Sequence, residues 1–265
     1  MFPDLIDLGF LHLKTYGALM ATGFLISWYL IERWSGRKDL SNLLISLMIS
    51  GVVGSRIAYV IEHWQSEFAQ APWRVIRVDQ GGLMFYGGLL LALAVFIFWC
   101  LIKRERVLVL ADLFASVLPL GHAFGRIGCF FYGCCYGRDS EAWCAVTFPV
   151  GSPSWFEHGR RSVSVLPTQL FEAAALIVLF IALACLRRRK DQGEGMILGV
   201  YLVGYAVVRF IIEYLRGDPR AAVGPFSISQ TISIVMAVLG AALIGFAIEG
   251  GGKNEKKANC DIRRS

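Results

Sequence analysis

Charged residues are scarce in this chain: Asp, Glu, Lys and Arg make up 17% of 265 residues, against 56% hydrophobic residues. That scarcity excludes an ordinary soluble domain, and with a mean hydropathy of +0.57 it places the chain among integral membrane proteins. Also missing is a basic stripe with interleaved aromatics. The formal net charge is +6, but Lys and Arg cluster in short connections, so no nucleic-acid partner is expected. The start has no basic n-region; Asp4 and Asp7 stand there and the first apolar run is of full helix length, so no cleavable signal peptide is expected. Finally, Cys129, Cys134, Cys135 and Cys144 follow no standard zinc spacing, and no His sits at a suitable offset, so neither a metal nor a cofactor is expected.

What the chain does have is long apolar segments. About seven reach or approach the roughly 17 to 25 residues that a helix needs to cross a hydrocarbon core. They fall near 15–32, 42–61, 82–102, 107–124, 168–186, 196–215 and 227–248. The expected fold is therefore all-α and polytopic: a seven-helix membrane domain over 1–250, a small extracytoplasmic head at about 138–166, and a disordered cytoplasmic tail at 251–265. Basic residues concentrate in 33–38, 103–106, 187–190 and the tail, which puts these segments inside and the N-terminus outside. The first residues read as an amphipathic approach to the membrane, with Phe2, Leu5, Leu8 and Leu11 at the interface and Tyr16 at the helix entrance.

Polar residues inside such segments are functional candidates by default. Arg56 lies about two turns from the outer end of the second segment. Two glycine pairs around Tyr86, the second being Gly87 and Gly88, open the third; they suit either an anionic head group or close helix packing. The fourth carries Pro119, Gly121 and His122 and is expected to bend or stop within the membrane, where broken backbone needs a cavity. Directly after it comes GRIGCFFYGCCYG over 125–137, followed by Arg138. If helical, His122 and Arg126 share a face. Thr168 is a candidate cap for the fifth helix, with Gln169 and Glu172 in its first turn and Glu172 favoured there by the dipole. In the sixth, Arg209, Glu213 and Arg216 form one stripe, whose two Arg against one Glu favour an anionic ligand. The polar groups Arg56, Arg126, Arg209 and Glu213 are expected to converge on one cavity. Of the seven cysteines, Cys100 and Cys185 lie in apolar helices and Cys260 in the tail. A disulfide among the four outward ones is the sober reading in an oxidising compartment, although adjacent Cys134 and Cys135 are not expected to pair with each other.

Taken in order, Tyr16-Gly17, GSRIAYV, GGLMFYGGLL, PLGHAFGRIGCFFYGCCYGR, LPTQLFE, VRFIIEYLRGDP and FSISQ resemble the bacterial phosphatidylglycerol–prolipoprotein diacylglyceryl transferases over nearly the whole chain. The resemblance implies an inner-membrane enzyme that moves the sn-1,2-diacylglyceryl group from phosphatidylglycerol to the thiol of the lipobox cysteine in a prolipoprotein signal peptide, with membrane lipid around it. On that reading Arg126 and Arg209 hold the phosphodiester, and Tyr16, Tyr86 and Glu213 shape the reacting geometry. Arg56, Gly87, Gly88, Gly137, Arg138, Gln169, Glu172 and Arg216 are counted with Tyr16 as substrate-binding. His122 is the candidate base. The chain departs from the family pattern at four places: Tyr86 replaces a His, Cys129 and Tyr132 replace Asn, and Cys134 replaces an acidic residue. A second reading is a family relative that binds anionic phospholipid or modifies a different acceptor, with the outward cysteines in a redox or structural role.

Overall fold

The structure, a computed structural model, describes residues 4–7, 12–77, 81–189, 192–218 and 222–262, with side chains described over 15–77, 81–189, 192–218 and 224–250. It divides into two compact units, residues 1–30 with 111–265, and residues 31–110.

The chain opens with a short antiparallel strand pair, β1 (Asp4–Asp7) and β2 (His12–Lys14), where the sequence reads an amphipathic approach. Leu5 falls in β1; Phe2, Leu8 and Leu11 lie outside the described residues. The 21-residue helix α1 (Thr15–Ser35) follows. In the smaller unit, α2 (Leu40–Glu62) and α3 (Phe85–Lys103) pack through glycine. A Cβ on Gly54 would sit 2.5 Å from the Gly87 carbonyl, and one on Gly87 or Gly88 would run into Ala58 or Ser55. Gly87 and Gly88 thus serve the close approach of two membrane helices, which in lipid comes from backbone proximity rather than from hydrophobic exclusion.

Arg56 shows what its unit does with a buried cation. Its guanidinium donates to the carbonyls of Arg74 (2.6 Å), Val75 (2.9 Å), Gly81 (2.8 Å) and Gly82 (3.1 Å). The rings of Tyr59 and Phe68 flank it. Its donors are committed to the loop between α2 and α3. Arg56→Ala is expected to lower stability on the order of 1–3 kcal/mol and to open that loop to protease, because the carbonyls lose a shared donor. Arg56→Lys should recover little, since one ammonium cannot span the set. Unchanged proteolysis and melting of the alanine variant in micelles would contradict this role.

In the larger unit the fourth apolar segment is broken as expected. It forms α4 (Val107–Ala115) and α5 (Leu118–Tyr132), interrupted at Ser116 and Val117 with Pro119 in the first turn of α5. Proline is tolerated there because the first turn has no intrahelical acceptor for its missing N–H. The helix runs eight residues beyond the expected end at 124, so GRIGCFFY is helical and the loop begins only at Gly133. The head then folds as β3 (Val146–Thr147) paired with β4 (Ser164–Val165), with α6 (Pro153–Glu157) between them. Tyr136, Phe148 and Val165 form its core. Burial and the hydrogen bond to Glu157 push the Tyr136 phenol above its usual range.

Three further helices complete the unit: α7 (Thr168–Leu186), α8 (Met196–Leu215) and, after the strand pair β5 (Ala222–Val223) and β6 (Phe226–Ser227), α9 (Ile228–Ile262). Asp112 of α4 accepts from the free N–H groups of Gly195 and Leu198 at 2.8 Å each, capping α8 from another helix. Gly199 and Gly240 bring α8 and α9 together, each position meeting the other's carbonyl. Helix α9 continues past residue 250 through most of the segment assigned from sequence to a disordered tail; Lys, Glu and Ala there are good helix formers. Among the described residues, six spans are long and apolar enough to cross a membrane, with α4 and α5 counted as one: Leu40–Glu62, Phe85–Lys103, Val107–Tyr132, Thr168–Leu186, Met196–Leu215 and Ile228–Gly250. With α1 they give a polytopic, mostly helical membrane protein of about seven helices.

Candidate active site

Four helices of the larger unit bring one set of polar side chains together. Helix α8 contributes Tyr205, Arg209 and Glu213, spaced four apart and so on one stripe. Helix α5 contributes His122 and Arg126, one turn apart; α7 contributes Glu172 and α9 contributes Ser229. Glu172 is the hub. Only 1% exposed, it faces Arg126 at 3.0 Å with one oxygen and Arg209 at 3.9 Å with the other. Arg209 also lies 2.8 Å from Glu213 and donates to the Ser229 hydroxyl at 2.9 Å. Tyr205 packs its ring 5.1 Å from that of His122.

The network leaves donors over. Among the described residues, Arg126 Nε and Arg209 Nη1 are buried and donate no hydrogen bond. The facing oxygens of Glu172 and Glu213 sit at ion-pair distance but are not aligned as acceptors. An unused guanidinium donor in a buried site is costly unless something accepts from it. Two such donors on neighbouring arginines suit the oxygens of one phosphodiester.

The charge account differs from the one the sequence suggests. Arg216 does not join Arg209 and Glu213; it sits at the end of α8 and clamps Asp218 through two bonds of 2.7 Å. Glu172 takes the vacated place. Arg126 and Arg209 therefore face Glu172 and Glu213 in balance, without the positive surplus expected from sequence. Burial works against the Arg216 charge, but its bonds to Asp218 and the electrostatic influence of Cys135 outweigh that and raise its pKa.

The cap reading of LPTQLFE also changes. Pro167 is the N-cap of α7 and no side chain caps it. Thr168 instead donates to the Cys135 carbonyl at 3.1 Å and Gln169 to the Cys134 carbonyl at 2.7 Å, tying α7 to the turn after α5. Gly137 continues that seam. It pairs with Leu166 at 2.8 Å and forms a β-bridge with Arg216, where a Cβ would meet Thr168 and Leu166. Arg138 bonds Leu215 through its backbone at 2.9 Å and exposes its side chain. Tyr16 lies over Gly128, where an added Cβ would stand 2.8 Å from the ring.

The structure thus joins Arg126, Arg209, Glu213, Glu172 and His122, with Gln169, Gly137 and Arg216 in the adjoining seam. Arg56, Tyr86, Gly87 and Gly88 belong to the other unit, where Tyr86 is 53% exposed in the first turn of α3. Sequence reasoning missed Tyr205 and Ser229. Tyr205 sits one turn before Arg209 on the same stripe, which is the signal that could have found it; Ser229 lies in the FSISQ block without one.

The fold and the site define a polytopic helical membrane protein with two buried, partly unused guanidiniums set around one glutamate. The comparisons with known proteins narrow that class. The family model described as prolipoprotein diacylglyceryl transferase matches residues 3–246, and the chain belongs to this family. It is 33% identical over 239 residues to phosphatidylglycerol–prolipoprotein diacylglyceryl transferase 2 of Clostridium perfringens, covering 88% of this chain and 90% of that one. It is 30% identical to the corresponding transferase of Geobacter sulfurreducens (90% and 92% covered) and 32% identical to that of Pseudoalteromonas translucida (92% of each).

Proposed function

We propose that this protein transfers the sn-1,2-diacylglyceryl group of phosphatidylglycerol to the lipobox cysteine of a prolipoprotein, at the inner membrane of a bacterium, with its N-terminus periplasmic and its C-terminus cytoplasmic. The observation that carries the reading is the pair of unused donors, Arg126 Nε and Arg209 Nη1, held beside Glu172. In the reaction the acceptor sulfur bonds to the glyceryl carbon, that carbon's bond to the phosphate oxygen breaks, glycerol 1-phosphate leaves with the electron pair, and the thiol proton passes to a base. Charge builds on the phosphate as it leaves, and preorganised donors stabilise it most at that moment.

The test is complementation. Expressed in cells depleted of their own transferase, the protein should restore diacylglyceryl-modified lipoprotein. Unmodified precursor at normal membrane expression would sink the reading in favour of a family relative that binds anionic lipid without this transfer. The residues that separate the two readings are Tyr86 and Cys129, which stand where the family pattern has His and Asn.

His122 carries the base role in this proposal, since it stands one turn from Arg126 and against Tyr205. His122→Gln is expected to lower transfer by about 10²–10⁴-fold, the range for a lost general base; full transfer by that variant at normal membrane levels would remove His122 from the base role.

A further inference from the structure

Three thiols that the transfer reaction does not use meet at the C-terminal end of α5. The Sγ atoms of Cys129, Cys134 and Cys135 all lie within 4.8 Å of one another. Their spacing in sequence hides this, because the contact is made by the way the helix ends. Gly133 takes the left-handed conformation (φ 83°), its N–H bonds Phe130 at 3.2 Å, and the N–H of Cys134 reaches back to Cys129 at 3.2 Å. That is the Schellman ending, and it folds residue 134 over residue 129. Cys135 then also takes a positive φ of 62°, an uncommon conformation for a residue with a Cβ, which turns its thiol back toward the other two. Thr168 and Gln169 hold the carbonyls of Cys135 and Cys134 in place from α7. The trio is therefore set by backbone hydrogen bonds and a neighbouring helix.

Sulfur bound to zinc at about 2.3 Å in a three-sulfur shell requires S···S separations of about 4 Å. The observed cluster is within a small contraction of that. Among the described residues no carboxylate or imidazole joins the group, and an all-thiolate donor set selects soft cations over magnesium or calcium. Three thiolates carry more negative charge than one such cation cancels, and the Arg216 guanidinium, close enough to act electrostatically on Cys135, offsets part of the remainder. Cys144 stands outside the cluster as a free thiol and serves as an internal control.

We propose that Cys129, Cys134 and Cys135 bind one thiophilic d10 cation, Zn(II) or Cu(I), through three thiolates. Binding forms three metal–sulfur bonds and releases the three thiol protons to solvent. No oxidation is involved.

The experiment uses the full chain, purified in detergent under argon with a non-thiol reductant and stripped of metal. Zinc is titrated against a chromophoric chelator, and Cu(I) separately against a Cu(I)-specific chelator, which distinguishes the two cations. The wild type should withdraw one equivalent of at least one of them per chain, and Cys144→Ser should do the same. Cys129→Ser, Cys134→Ser and Cys135→Ser should each weaken binding by at least about tenfold, as loss of a ligand must cost no less than loss of a group that merely orients one. Because a serine variant can fail to fold, maleimide labelling of the wild type gives a second readout: the metal should protect these three cysteines and leave Cys144 reactive. Metal retained entirely by both chelators, equal labelling of all four cysteines with and without metal, or a disulfide within the trio in protein isolated under argon would each overturn the proposal.

Discussion

Arg126→Ala and Arg209→Ala should each reduce diacylglyceryl transfer by about 10²–10³-fold, the usual cost of removing one preorganised donor from a site where negative charge develops. The effect should fall mainly on kcat, because a contact that strengthens as the phosphate leaves contributes more to the transition state than to substrate binding. Folding has to be separated from chemistry here, since each arginine also faces Glu172. The lysine variants do that. Arg126→Lys keeps a cation opposite Glu172 but has no Nε donor and no planar fork, so it should fold normally and recover only a fraction of the transfer. The measurement is turnover of a lipobox peptide in proteoliposomes containing phosphatidylglycerol, scaled to folded protein. Full transfer by either alanine variant at normal levels would remove that arginine from the phosphate site.

Much of the fold was legible because the bilayer leaves few choices. A run of apolar residues of the right length has to be a helix there, and the bounds of α7 and α8 coincide with the expected 168–186 and 196–215. Two helix ends were misjudged, that of α9 and, beside the site, that of α5. Its aromatic and cysteine residues, Cys129 to Tyr132, resemble an interfacial loop in composition, yet the helix continues until Gly133 supplies a left-handed ending. Arg126 and Arg209 could be chosen because an intramembrane charge is rarely idle. Their partners could not be chosen so easily. Glu172 looked like a first-turn carboxylate favoured by the helix dipole, since position within a helix is visible in sequence while the neighbour on the next helix is not. Arg216 looked like part of the Arg209 stripe, but α8 ends at Leu215, and the change to extended backbone turns Arg216 to Asp218. Arg56 was legible as a buried charge needing partners. That the partners are carbonyls of a loop about twenty residues away depends on how the loop folds back, which no local pattern encodes.

Glu172→Gln should cost about 3–5 kcal/mol of stability, the penalty for removing one member of a buried ionic network and leaving the others unneutralised. The wild type holds two guanidiniums against two carboxylates in a site where Glu172 is 1% and Arg209 is 7% exposed. Glutamine is nearly the same size and keeps an acceptor oxygen, so neither a cavity nor a clash explains a loss; only the missing charge does. Two further measurements tie the loss to that charge. Replacing Arg126 by Met in the Glu172→Gln background restores the balance between Arg209 and Glu213, so the double variant should melt higher in micelles than the single one. Adding phosphatidylglycerol should stabilise Glu172→Gln more than it stabilises the wild type, because the anionic head group then supplies the charge that the two arginines lack, and a ligand that binds only the folded state raises stability in proportion to its affinity. The same tighter ground-state hold should lower turnover, since binding that is not specific to the transition state does not speed the reaction. A Glu172→Gln protein that melts with the wild type, and to which phosphatidylglycerol brings no additional stability, would show that Glu172 is not the hub of the arginine pair.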